Sequence, residues 1–209
     1  MKKTKTALKK TASTPGKLRI IGGVFKRTPL PVAALEGLRP TPERLRETLF
    51  NWLGGDVTGW HCLDLFAGTG ALGFEAASRG ATWVQLNENN RIAAQGLERS
   101  KQLLLSREGA QNLRLEVTAQ DARVLLKNWG GQKLDLVFVD PPFGQDAIYS
   151  DVLMALGQAK PATAAIYLEA NKHWQDSDLS PYGWRCHKHS KVGAVHGHLL
   201  YPLEAQAEG

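Results

Sequence analysis

The chain has 209 residues, 43% of them apolar, which is enough for one sizeable α/β core and too little for a second full domain. Its net charge of +6 is unevenly placed: residues 1–46 carry 12 of the 26 Lys and Arg against only Glu36 and Glu43, a local +10, which leaves −4 on residues 47–209. No apolar run approaches the roughly 20 residues that span a bilayer, and the basic start lacks the apolar stretch of a secretory signal. The two cysteines, Cys62 and Cys186, lie too far apart to form a ligand pair, so two buried thiols in a cytoplasmic protein with no membrane and no metal partner are expected.

Residues 1–16 hold almost no large apolar side chain and end in Pro15-Gly16, the pattern of a disordered basic tail. Residues 17–55 then form an N-terminal extension. Arg19-Ile20-Ile21-Gly22-Gly23-Val24-Phe25-Lys26-Arg27 places two short β-prone runs around a Gly-Gly turn, a small cationic hairpin. Thr41 or a neighbour can cap a helix running to about Leu53, with Pro42 in its first turn; Leu45, Leu49, Trp52 and Leu53 share its apolar face, and Arg44 and Arg46 lie off it.

Residues 56–204 alternate strands with helices. His61 to Phe66 predicts a buried strand, followed by Ala67-Gly68-Thr69-Gly70-Ala71-Leu72-Gly73 and a helix to about Arg79, so a glycine turn meets a helix N-terminus where a ligand can approach the backbone. Trp83 to Asn87 is a second strand ending at Glu88, about 18 residues past Gly70, the place for an acid that binds ribose hydroxyls. Gln85 and Asn87 are unusually polar for an inner strand. After a helix from Arg91, a third strand at about Leu113 to Val117 leads to Asp121, either a helix cap or a binding acid, and another helix follows. A helix from Ile148 to Gln158, a strand from Ala164 to Glu169 and an antiparallel pair around Val192-Gly193-Ala194 complete the domain, with a frayed tail at 205–209. His173, His187, His189, His196 and His198 cluster late; the i, i+2 spacing of two pairs puts them on exposed strand faces rather than around a metal.

The fourth strand, Leu134 to Val139, delivers Asp140-Pro141-Pro142-Phe143 to the sheet edge. Two prolines remove two N–H donors and stiffen the loop, so a carboxylate and a carbonyl stand side by side as acceptors. One –NH2 group can donate to both, and Phe143 offers a flat face for a base. The stretch suits a planar amine.

Together these motifs resemble a class I S-adenosylmethionine-dependent methyltransferase, and Asp140 to Phe143 is similar to the signature of enzymes that methylate exocyclic amines of nucleobases. More narrowly, Arg19 to Gly23, Leu38 to Thr41, Arg44 to Leu53, Asp64 to Gly73 and Phe138 to Phe143 are similar to the RsmD family of small-subunit ribosomal RNA guanine-N2 methyltransferases. The resemblance implies an α/β fold: a Rossmann-like, mostly parallel sheet with a C-terminal antiparallel hairpin and a small N-terminal hairpin and helix. It implies S-adenosylmethionine held by Asp64, Phe66, Ala67, Gly68, Gly70, Glu88, Asp121 and Asp140, with Glu88 on the ribose and Asp121 on the adenine amine. Asp140, Pro141, Pro142 and Phe143 would hold the target base. Arg19, Lys26, Arg27, Arg39, Arg44 and Arg46 would meet small-subunit ribosomal RNA or the assembling subunit, and the enzyme would act as a monomer. An adenine-N6 methyltransferase and a non-catalytic RNA-binding or assembly factor are the competing expectations. Asn90 stands where the family often has an acid.

Overall fold

The computed structural model describes residues 17–32, 40–142, 146–158 and 165–203. The expected tails, Arg39 and Phe143 lie outside them. Within them the chain runs β1 (Lys17–Arg19), β2 (Pro29–Pro31), α1 (Glu43–Trp52), β3 (His61–Asp64), α2 (Ala71–Ser78), β4 (Trp83–Asn87), α3 (Arg91–Leu105), β5 (Arg114–Thr118) and α4 (Ala122–Lys127). It continues through β6 (Leu136–Val139), α5 (Asp146–Gln158), β7 (Ala165–Ala170), α6 (Asp176–Leu179), β8 (Trp184–Val192) and β9 (Val195–Pro202).

A seven-stranded sheet has the order β5-β4-β3-β6-β7-β9-β8, with β5 to β7 parallel and β9 and β8 antiparallel. Alternation along the strands sends Cys62, Phe138 and Tyr167 into one core, beneath α2, α3 and the extension, and Leu63, Val137 and Ile166 into another, which also holds Val152 of α5. Gln85 and Asn87 are buried as an inner strand requires, because both are bonded. Gln85 donates to the Thr118 hydroxyl at 3.2 Å, and Asn87 donates to the carbonyls of Leu65 and Gln120 at 3.1 and 3.0 Å.

The extension is part of this core. β1 pairs with β2, so the hairpin is wider than a Gly-Gly turn would make it, and Val24 and Phe25 fall in a turn rather than a strand. Gly22 and Gly23 dock on α2. A Cβ on Gly23, whose φ is +72°, would lie 1.7 Å from the Ser78 carbonyl oxygen. Buried Glu75 of α2 accepts the Ile21 and Gly22 N–H groups at 2.8 Å each and pairs with Arg46 at 3.4 Å and Arg79 at 2.8 Å. Arg46 also donates to the Arg19 carbonyl at 3.2 Å.

Arg46 therefore departs from expectation. Its side chain is 2% exposed, so it holds the extension to α2 instead of facing a polyanion. Replacing Glu75 with Ala strands two guanidinium groups and two backbone donors, and urea unfolding at neutral pH is expected to show a loss of about 3–5 kcal/mol.

Candidate active site

Chain order reverses between β3 and β6, and ligands bind α/β sheets at such a switch point. A cleft of about 640 Å³ opens there at the carboxyl ends of the strands, a size suited to a nucleoside-sized ligand. Asp64, Phe66, Ala67, Gly68, Glu88, Asp121, Asp140, Pro141 and Pro142 all line it, so the structure brings together all but two of the expected cofactor and target residues.

Asp64 ends β3, is 2% exposed, and accepts the Gly73 N–H at 3.0 Å, tying the strand to the first turn of α2. Burial pushes its carboxyl up to about 8, with the nearby charges of Asp140 and Glu88 adding to the rise. Glu88 accepts the Gly68 N–H at 2.9 Å and the Asn90 N–H at 2.7 Å, so it fixes the glycine turn while presenting its carboxylate to the cleft. Asn90 caps α3 by accepting from Ile92 at 2.9 Å and Ala93 at 3.2 Å, a role an amide fills without further charge.

Asp121 is both a helix cap and a residue of the cleft. It caps α4 by accepting the Arg123 N–H at 2.8 Å and lies in the cleft wall. The Arg123 guanidinium, hydrogen-bonded to its two carboxylate oxygens at 3.1 and 2.9 Å, holds it down at about 2, so it stays an ionised acceptor.

Asp140 stands one residue past β6 beside Pro141 and Pro142, and burial pushes its carboxyl up to about 7. Two neighbours, Thr41 and Glu169, are not among the expected site residues. Thr41 lines the cleft with its side chain close to Glu169, near the end of β7. Helix α1 starts without a side-chain cap, because the cap position is Pro42, whose ring has no polar atom, and Thr41 lies one residue earlier.

The two exceptions are Gly70 and Phe143. Gly70 lies behind the cleft wall with φ +78°, and a Cβ there would meet the Phe74 ring at 2.3 Å, so it serves the turn and the packing of α2. Phe143 lies outside the described residues, as does Arg39 among the expected cations. Arg19, Lys26, Arg27 and Arg44 are exposed on the extension.

The histidines differ from the expected pattern. A bulge between Cys186 and Lys188 breaks the alternation of β8, and His198 is buried, not exposed. His173, His189 and His198 bring ligand atoms within 4.8 Å of one another. However, His198 accepts the Trp174 N–H at 3.1 Å and donates to the Leu168 carbonyl at 3.2 Å, which uses both ring nitrogens. His173 and His189 stack 3.9 Å apart with planes 13° from parallel, so their in-plane lone pairs do not converge on one ion. Cys186 is half-buried rather than buried, and both cysteines are free thiols. No helix among the described residues is long and apolar enough to cross a membrane.

The sheet order, the switch-point cleft and the acids ending its strands define a class I methyltransferase. The family model described as conserved hypothetical protein 95 matches residues 18–201. Ribosomal RNA small subunit methyltransferase D of Escherichia coli strain K12 is 37% identical over 196 residues, which are 94% of this chain and 95% of that protein. The Haemophilus influenzae protein of the same name is 40% identical over 192 residues, 88% and 94% of the two chains. The solved Escherichia coli protein yhhF superposes with a TM-score of 0.73 at 32% identity, covering 90% of this chain and 98% of that one. The chain belongs to the ribosomal RNA small subunit methyltransferase D family.

Asp64 provides a test of the cleft's electrostatics. Its folded carboxyl holds a proton up to about pH 8 that the unfolded chain loses near 4, so it makes stability fall as pH rises through that window. In urea unfolding of the cofactor-free protein between about pH 5 and pH 8, Asp64→Asn is expected to make that decline shallower. An unchanged slope would refute the assignment.

Proposed function

We propose that this protein transfers a methyl group from S-adenosylmethionine to the exocyclic N2 amine of a guanine in small-subunit ribosomal RNA, as a monomer in the cytoplasm. The observation that carries the reading is the Asp140 carboxylate, set at the wall of the switch-point cleft beside Pro141 and Pro142. The names of the relatives support the RNA class, and the exposed cations of the extension support a polyanionic substrate.

The residues present fit the cofactor. Glu88 would accept from the ribose hydroxyls, Asp121 from the adenine amine, and Asp64 with Phe66 to Gly68 would line the methionine portion. When bound, S-adenosylmethionine supplies an electrophilic methyl group.

An aromatic amine is a weak nucleophile because its lone pair is delocalised into the ring. The Asp140 carboxylate would accept one N–H and the Pro141 carbonyl the other, which favours a pyramidal nitrogen with its lone pair directed into the cleft. As the N–CH3 bond forms and the methyl–sulfur bond breaks, leaving the neutral thioether of S-adenosylhomocysteine, positive charge would develop on nitrogen beside the carboxylate, and one N–H proton would pass to Asp140. Orientation and charge placement supply most of the acceleration. Phe143 would stack on the base once it has left its own stack, offsetting roughly 1–3 kcal/mol of the unstacking cost. Arg19, Lys26, Arg27, Arg39 and Arg44 would meet phosphate.

The test is incorporation of labelled methyl into small subunits from cells lacking the endogenous activity, followed by nucleoside analysis. N2-methylguanosine is expected, and N6-methyladenosine or no incorporation would overturn the assignment. Because burial pushes Asp140 up to about 7, single-turnover transfer is expected to fall as pH drops below that value and the carboxylate takes a proton.

A further inference from the structure

Two glutamates are buried in this protein under opposite conditions. Glu75 is fully buried between the guanidiniums of Arg46 and Arg79, so its charge is matched. Glu169 is 3% exposed, it accepts from the Tyr167 hydroxyl at 3.0 Å, and Thr41 lies close to it. The ionisable groups around it are acids: Tyr167 on its own strand, Asp140 beyond β6 and Asp64 on β3. Its register partner on β9 is Gly197, which has no side chain to contribute.

Glu169 and Asp140 stand side by side. Val139 of β6 and Leu168 of β7 are the last paired residues of two parallel strands, and Asp140 and Glu169 each lie one step further. Parallel neighbours are about 4.8 Å apart at the backbone, so the two side chains leave adjacent strands on the same face, and paired carboxyl groups at such an edge resist ionising together. The pocket around Glu169 is shaped for it. A Cβ on Gly197 would lie 2.7 Å from the Tyr167 hydroxyl, so that glycine leaves room for the bond from Tyr167 to Glu169.

We propose that Glu169 is a positioning residue that retains the proton of a Glu169–Asp140 carboxyl pair, leaving Asp140 as the single carboxylate that meets the target amine. Thr41, close to Glu169, lines the same cleft as Asp140, so the segment ahead of α1 forms part of its wall. Burial first, and then the charge of Asp140, push Glu169 well above the usual carboxylate range, in agreement with this arrangement. During methyl transfer the Glu169 proton stays in place. Asp140 takes the proton released by the amine and returns it to water through the cleft.

The inference rests on the assignment of Asp140 to the target amine, and its test separates the two. The infrared spectrum of the full-length, substrate-free protein near pH 7.5 is compared with that of Glu169→Gln, whose amide mimics the protonated acid. Protonated-carboxyl C=O absorption weaker in the variant by one carboxyl group, with the Asp64 contribution remaining, is expected; undiminished absorption overturns the proposal. This comparison needs neither RNA nor transfer, so it stands even if the methylation assignment fails.

Single-turnover transfer gives the second readout. Glu169→Gln is expected to retain at least about tenfold more activity than Glu169→Ala, with the acid limb of its pH profile unmoved. A limb displaced downward by about one pH unit would mean that Glu169 carries a charge in the native enzyme, and would overturn the proposal.

Discussion

A carboxylate taken into a sheet edge must be matched by a cation or keep its proton, and the cleft is arranged around that constraint. Asp64 and Asp140 stand at the carboxyl ends of neighbouring parallel strands, pushed up to about 8 and about 7 by burial. Asp121 on the cleft's outer wall lies on the other side of the same rule: Arg123 holds it ionised. The cleft thus offers a permanently charged acceptor where the adenine is assigned and a poised one where the amine is assigned. That contrast comes from which strand ends have a guanidinium within reach.

The same constraint explains why the extension cannot be separated from the catalytic core. Glu75 brings a buried negative charge into α2, and its partners come from three places: Arg79 on its own helix, Arg46 on α1 and the backbone of the Ile21-Gly22 segment. Ser78 extends the clamp, accepting from Phe25 and donating to the Gly22 carbonyl. A surface that carries exposed cations is thereby fixed to the helix that follows the glycine turn. Thr41, at the far end of the extension, reaches the cleft itself.

The alternation of strands and helices and the acid-bearing edge are legible in the sequence because buried parallel strands read as short apolar runs, several of them ending in an acid followed by a helix. Glu88, Asp121 and Asp140 fell where that pattern put them. A glycine turn marks a ligand, a steric need or both, and composition cannot separate them; the Phe74 ring behind Gly70 makes the steric need visible. Arg46 read as a surface cation because its partner Glu75 is 29 residues away in a different helix. Glu169 was visible as a strand end, but its neighbours become visible only when β7 is placed beside β6. The bulge at His187 and the burial of His198 depend on pairing across the hairpin, which i, i+2 spacing alone does not contain.

The central claim is that Asp140 acts chiefly on the target amine, beyond any contribution to folding or to holding the cofactor. Its most direct test pairs two measurements on Asp140→Asn: calorimetric binding of S-adenosylhomocysteine, and single-turnover methyl transfer to small subunits. Binding within about threefold of the native protein together with transfer reduced by at least about 100-fold is the predicted result. Transfer at the native rate would contradict the account.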